Sequence, residues 1–574
     1  MDFQKLVAVF EELEQTASGN KMREILAEFL KTIPAEDIAV VSYLLQGSIA
    51  SEYAAVVLGI ADKSVLKSLA AASGVEASKV QKLMQELGDA GLTAEKVLQK
   101  KPQTLVPVGK LTIHELFEKL HKLAQVSGTG SQEQKSNILV SLLQKTSPKG
   151  AKYVVRIALG TLRLGAGEMT ILDALAIAYT SDKKNKEQLE QAYTICPDLG
   201  IIAETLVKKG LKGIEKIDLH VGRPIKMMLC QRVEKLEEVA EKIPGKKAVE
   251  AKYDGERVQA HKDVKGRITL FSRRLENITA QFPDLVKELA KQIQAKEFVI
   301  EGEIIAIDKD GHHLPFQTLM QRRRKHDVEK YAKEIPVLVK LFDLLYLDGH
   351  SFRHEPYEKR TEQLGKIVRK NKQVLLADKI VTDDLDEVND FFQQMLKEKY
   401  EGIIVKSLSG EYQAGTRGWN WIKWKKEYVQ ELSDTLDLVV VGGYHGKGKR
   451  SGTYGALLCA AYNEKEDSFE TLCKLGTGLT DEVLAELPLK LAKYKLRQKP
   501  VRVNCNKEME PEVWFEPKVV VEVFGAELTR SPFHTCGSGL SLRFPRFIRF
   551  REDKKAEQAT TVKEIEKMAG KGKG

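Results

Sequence analysis

Cysteine is scarce and scattered: six in 574 residues, at positions 196, 230, 459, 473, 505 and 536, with no two in a C-x-x-C spacing. That excludes a zinc-ribbon or zinc-finger arrangement and leaves no disulfide framework, so reduced thiols and an intracellular, cytoplasmic setting are expected. Long apolar runs are also missing. The least charged window, 43–61, is broken by Gln46 and Glu52 and is too polar to span a bilayer. The opening "MDFQKLVAVFEELEQ" carries charge throughout and has no cleavable-leader pattern. No segment repeats at a fixed period.

Acidic residues are outnumbered, 81 against 91 Lys and Arg, for a net charge of +10. The excess is clustered in "QRRRKH" (321–326), "GKGKR" (446–450) and "RFPRFIRFREDKK" (543–555), a distribution that suggests a polyanion partner. Hydrophobic residues at 42% and charged residues at 30% fit a packed chain of several domains.

Residues 1–220 read as helical. Phe3, Leu6, Phe10 and Leu13 share a helical face, and "LTIHELFEKLHKLA" and "KSNILVSLLQKT" repeat that spacing. Residues 221–428 alternate with period two in "AVEAKYD", "RITLFS", "FVIEGEIIAID", "VLVKLFDLLYLD" and "GIIVKS". Helices such as "PDLVKELAKQIQ" and "VNDFFQQMLKEKY" lie between them, predicting an α+β domain. Residues 429–574 hold short strands such as "LDLVVVGGY" and "KVVVEVFGAEL" between Gly-rich turns, predicting a small OB-type β-barrel. A final helix in "ATTVKEIEKMA" carries "TVKE" as a capping box.

The stretch "VEAKYDGERVQA" (249–260) reads as a strand, yet it holds five charged residues and a glycine. If the strand persists, Glu250, Lys252 and Asp254 share a face. A lysine there could attack phosphorus, but only after losing its proton, which about one in a few thousand free lysines has done at pH 7. Nearby positive charge would lower its pKa. "WNWIKWKKEY" supplies it, with Trp421, Lys423 and Lys425 on one strand face and Ile422 and Trp424 on the other. Glu301 and Glu303 interrupt an apolar row, and Glu401 precedes a strand that ends near Lys406. Separated carboxylates of this kind suit a magnesium ion shared with phosphates. Each motif alone has an ordinary reading: a solvated edge strand, a structural ion pair, a core aromatic at Phe342.

In order and spacing the motifs resemble those of the ATP-dependent DNA ligases, archaeal and eukaryotic replicative branch, within the covalent nucleotidyltransferase superfamily. "KYDGER" resembles motif I, "FSRRLEN" the arginine motif after it, and "VIEGEIIA" motif III, with Glu301 where many members have Asp. "KLFDLLYLDG" resembles motif IIIa, "EGIIVK" motif IV, "WIKWKK" motif V and "REDK" motif VI. "VVRIALGTLRLGAGEMTILDALA" (154–176) is similar to the helical DNA-binding domain of that family. The resemblance implies a helical DNA-binding domain (1–220), an adenylation domain (221–428) and an OB-fold domain with a short helix and tail (429–574).

It also implies roles. Lys252 would take AMP as a phosphoramidate, Glu250 would read the adenine edge and Phe342 would stack on it. Arg257, Arg273 and Arg417 would hold ribose or phosphate, and Lys423 and Lys425 the α-phosphate. Glu303 and Glu401 would serve Mg2+, or Mn2+, and ribose. Arg551, Asp553 and Lys554 would act on the departing pyrophosphate. Phe316 and Phe544 would press on the minor groove beside a nick, with Arg163, Arg450 and Arg543 on the DNA backbone. ATP is the implied cofactor, with ADP or NAD as alternatives, and a monomer acting on nicked duplex DNA is implied. The linker "QKKPQTLVPVGKLT" lies where relatives carry a sliding-clamp docking peptide. Gln103 and Leu105 would dock, although the usual aromatic pair is missing. An mRNA-capping guanylyltransferase, an RNA ligase and a catalytically silent DNA-binding protein are the competing readings.

Overall fold

The computed structural model describes residues 1–99, 110–180, 182–233, 235–323, 328–369, 371–398, 400–425, 435–446, 452–525 and 527–571. Gln103, Leu105 and Arg450 lie outside them. Contacts divide the chain into two compact units, Met1–Trp424 and Lys425–Gly574.

The first unit begins with helices, from Phe3–Glu14 to Leu199–Ile214. In Phe3–Glu14 the predicted face is the buried one, Phe3, Leu6, Phe10 and Leu13. Helix starts follow capping chemistry: Thr112 caps Ile113–Gln125, and Ser147 followed by Pro148 opens Pro148–Ala158. Segment 154–176 runs from that helix into Glu168–Thr180 through a turn that leaves Arg163 exposed.

The same unit continues with eleven strands among its described residues: β1 (Leu229–Arg232), β2 (Lys247–Lys252), β3 (Glu256–Lys262), β4 (Ile268–Ser272), β5 (Phe298–Ala306), β6 (Val337–Leu347), β7 (His350–Ser351), β8 (Val374–Leu376), β9 (Lys379–Thr382), β10 (Gly402–Ser407) and β11 (Arg417–Lys425). They form two sheets, ordered β1-β11-β10-β2-β9 and β4-β3-β5-β6-β7, with β8 beside β6. Helix Leu385–Lys397 buries Val388, Phe391, Phe392 and Met395 against the first sheet's Val249, Ala251 and Ile403, while Pro283–Gln292 packs Leu285 and Leu289 on the second. The stretch 249–260 is not one strand. β2 stops at Lys252, and residues 253–255 carry the chain from one sheet into the other. Gly255 permits that crossing, because a Cβ there would overlap the Ile304 carbonyl oxygen of β5.

The second unit is a seven-stranded sheet curled into a half-barrel. Its strands are β12 (Leu436–His445), β13 (Tyr454–Asn463), β14 (Ser468–Leu475), β15 (Lys495–Leu496), β16 (Val503–Asn504), β17 (Val513–Phe524) and β20 (Arg546–Phe550), with β18 (Glu527–Arg530) and β19 (Leu540–Arg543) as a separate pair. β12 slips register against both neighbours between Val440 and Gly442, a bulge that bends the sheet. Helix Val562–Lys571 has its predicted capping box: Glu564 N–H donates to Thr561 Oγ1 at 3.2 Å, and Thr561 N–H to Glu564 Oε2 at 2.7 Å. Among the described residues no helix is long and apolar enough to cross a membrane.

Candidate active site

Strands of both sheets of the first unit line one cleft, at Cys230, Glu250, Lys252, Arg257, Glu303, Phe342, Lys406 and Trp421, among others. Period two does the sorting. β2 turns Glu250 and Lys252 into the cleft, and Val249 and Ala251 into the apolar core behind. β11 divides as its sequence predicts, with Trp421 in the cleft and Ile422 and Trp424 in that core. Antiparallel pairing of β10 with β2 sets Gly402 opposite Lys252, and Glu401 N–H donates to the Lys252 carbonyl at 3.0 Å.

That register brings the Glu401 carboxylate onto the Lys252 ammonium. Burial presses the lysine pKa down, but Glu401, aided by Glu303, more than reverses this, and Lys252 is held protonated above the usual lysine value. The expected direction, a lowering by Lys423 and Lys425, is therefore not what this structure has. The Glu401 carboxylate contacts the ammonium directly, and both lysines on β11 are half-buried. Glu303 is pushed up to about 7, mainly by burial and further by Glu401, against the pull of Lys252 and Arg257.

Glu250, 2% exposed, accepts from the Tyr357 hydroxyl on one oxygen and meets Lys406 Nζ at 2.6 Å on the other. Lys406 also lies 4.4 Å from the Phe342 ring centre and 4.3 Å from that of Trp421. Arg257 donates to the Met228 carbonyl at 2.6 Å and to Glu301 Oε2 at 2.7 Å. Glu301 accepts from Gln259 Nε2 and Tyr412 Oη too, each at 2.9 Å. Its lone pairs are spent on the fold, so Glu301 is a structural anchor and Glu303 is the glutamate that lines the cleft.

Other expected residues fall elsewhere. Arg273 and Arg417 are exposed. Phe316 is half-buried at the start of a short helix, its N–H held by Asp254 Oδ2 at 3.1 Å. Arg322 of the first basic cluster is not a free cation, since it is buried on Asp284 at 2.6 Å. In the second unit Arg551 pairs with Asp553 at 2.7 Å and with Asp437 at 2.8 Å, and Lys554 reaches Asp437 at 2.6 Å. Phe544 there is 70% exposed at a positive φ of 52°, with the Arg543 guanidinium 5.1 Å from its ring. Motif spacing does not mark Cys230, Tyr357 or Asp437, nor the contacts of Lys406 with Glu250 and of Asp254 with the Phe316 N–H. Alternation from Ile404 would have found Lys406, whereas nothing local marks Tyr357.

Three family models cover most of the chain: DNA ligase N terminus over residues 2–176, ATP dependent DNA ligase domain over 227–425, and ATP dependent DNA ligase C terminal region over 450–554. The chain is 47% identical to "DNA ligase 2" of Thermofilum pendens, over 99% of this chain and 97% of that one. It is 42% identical to the "DNA ligase" of Saccharolobus solfataricus, over 100% and 98%. Among solved structures, "Pmar-Lig_PreS3" shares the fold with a TM-score of 0.53 at 18% identity, over 95% of this chain and 99% of that one.

Proposed function

The chain belongs to the ATP-dependent DNA ligases, which seal 3′-hydroxyl/5′-phosphate nicks in duplex DNA through an adenylate intermediate, and we propose that Lys252 is the residue in it that carries the AMP. The supporting observation is the cleft itself, where strands from two sheets gather Lys252 and Lys406, the carboxylates of Glu250 and Glu303, and the rings of Phe342 and Trp421, with Glu401 on the Lys252 ammonium. Lys252 Nζ attacks the α-phosphorus of ATP, an N–P bond forms, and the P–O bond to pyrophosphate breaks. The proton must leave first, and Glu401 is the acceptor the ammonium already contacts. AMP then passes to the 5′-phosphate of the nick, and the 3′-hydroxyl displaces it.

Glu250 meets the adenine edge and Phe342 stacks on the ring. Lys423 and Lys425 place positive charge by the α-phosphate, and Arg257, Arg273 and Arg417 hold ribose and phosphates. Glu303 and Glu401 fit a divalent cation: a carboxyl pushed up to about 7 by burial is one whose charge a cation would satisfy. Bound there, magnesium or manganese would neutralise phosphate oxygens. Residues 1–220, 221–428 and 429–574 form the DNA-binding, adenylation and OB-fold parts of a monomer that acts on nicked duplex in the cytoplasm. Arg163, Arg543 and Arg450 grip backbone phosphates, and Phe316 and Phe544 press beside the nick.

The test is a chase. Protein incubated with magnesium and α-labelled ATP should retain label, then lose it to nicked duplex DNA as the nick seals. Label taken only from GTP, or passed only to RNA, would refute the reading. Asp553 and Lys554 serve the pyrophosphate-leaving step. Asp553→Ala should therefore slow self-adenylylation on the order of 100-fold while sealing of pre-adenylylated nicks changes little; equal losses would remove this role.

A further inference from the structure

Tyr357 lies outside the cleft lining, yet from full burial its hydroxyl donates to Glu250 Oε1. It opens helix Tyr357–Ile367, and the first turn of that helix is fixed from several sides. The Tyr357 N–H reaches the Gly410 carbonyl at 3.0 Å, and the Glu358 N–H the Leu408 carbonyl at 3.0 Å. One turn on, Arg360 is fully buried and grips Asp343 through bonds of 2.7 and 3.0 Å, beside Phe342 in β6. The same guanidinium donates to the carbonyls of Glu355 and Gly410 at 2.7 and 3.0 Å. Little freedom remains for the phenol, so it fixes the plane of the Glu250 carboxylate from one side. Lys406 Nζ fixes the other oxygen at 2.6 Å.

A carboxylate held by a phenol donor on one oxygen and ion-paired to an ammonium on the other is an acceptor of fixed direction. A purine edge brought against it must offer an N–H. Adenine does so at its C6 amino group, and guanine presents a carbonyl oxygen at the same place. A mismatch there leaves a buried acceptor facing an acceptor, which is where a site gains most discrimination.

Resting on the reading of Glu250 as the group that meets the base, we infer that Tyr357 is a positioning residue for nucleotide choice: it aims Glu250 at the C6 amino group and so sets the preference for ATP. The test compares ATP with purine riboside triphosphate, which lacks that amino group, in self-adenylylation by wild type and Tyr357→Phe. Wild type should show the lower KM for ATP. Tyr357→Phe should raise the KM for ATP about tenfold, leave the KM for the analogue unchanged and alter kcat little, since only the aim of one hydrogen bond is lost. Partial unfolding would lower kcat for both nucleotides and leave the KM ratio intact, so the ratio is the readout. An equal KM rise for both nucleotides, or none for ATP, overturns the inference. A wild type that does not distinguish the two overturns the reading of Glu250 before any variant is made.

Discussion

Lys252→Ala, incubated with magnesium and α-labelled ATP, should take up no label, and sealing that starts from ATP should fall by about 10⁵-fold or more. The same variant should still join nicks whose 5′-phosphate already carries AMP, because that step would need the pocket and the DNA surface but not the proposed nucleophile. The substitution also spares the fold. Lys252 is an inward residue at the end of β2, held by one carboxylate, and Val249 and Ala251 keep their places behind it. Label on Lys252→Ala, or equal loss on pre-adenylylated nicks, would assign the nucleophile elsewhere.

The second large effect separates two glutamates that stand two residues apart on β5. Glu301→Gln should cost about 3 kcal/mol of stability, because Arg257 loses the carboxylate that neutralises it in a buried setting. Glu303→Gln should do the reverse. Its carboxyl is raised from 4.5 to about 7 in the fold, so at pH 7 and above ionised Glu303 works against folding. Removing the charge should add about 3 kcal/mol there, a gain that shrinks as pH falls and is gone below about 4.5. Adenylylation should nevertheless collapse in Glu303→Gln. Urea unfolding of both variants at pH 7.5 and 5, beside label uptake, checks this. A destabilised Glu303→Gln would mean its charge is paired within the fold.

The contrast between these glutamates shows where sequence reading stops. Period-two alternation located the cleft face of β2 and of β11 correctly, since it depends only on neighbours along one strand. It could not separate Glu301 from Glu303, which have the same parity. They differ because Gln259 and Tyr412, the latter 111 residues on, aim donors at Glu301 alone. The protonation of Lys252 is not legible in the sequence for the same reason. Lys423 and Lys425 could be read as cations, but the decisive carboxylate, Glu401, reaches the lysine through the β2–β10 register, which no local pattern encodes. Motif order identified the family; the second unit's Asp437, on which Arg551 and Lys554 converge, carries no motif of its own.

β2 is ladder-bonded on both sides, to β10 and β9, and its last carbonyl is pinned by the Glu401 amide. Amides in such a strand exchange with solvent only when a whole cooperative block opens. The Lys252 Cα is then a stationary point through every turnover, and the amine travels only as far as its own side-chain torsions carry it. If Lys252 carries the AMP as proposed, triphosphate and broken strand alike must be delivered to that point, and cargo comes to a fixed post rather than the post to its cargo.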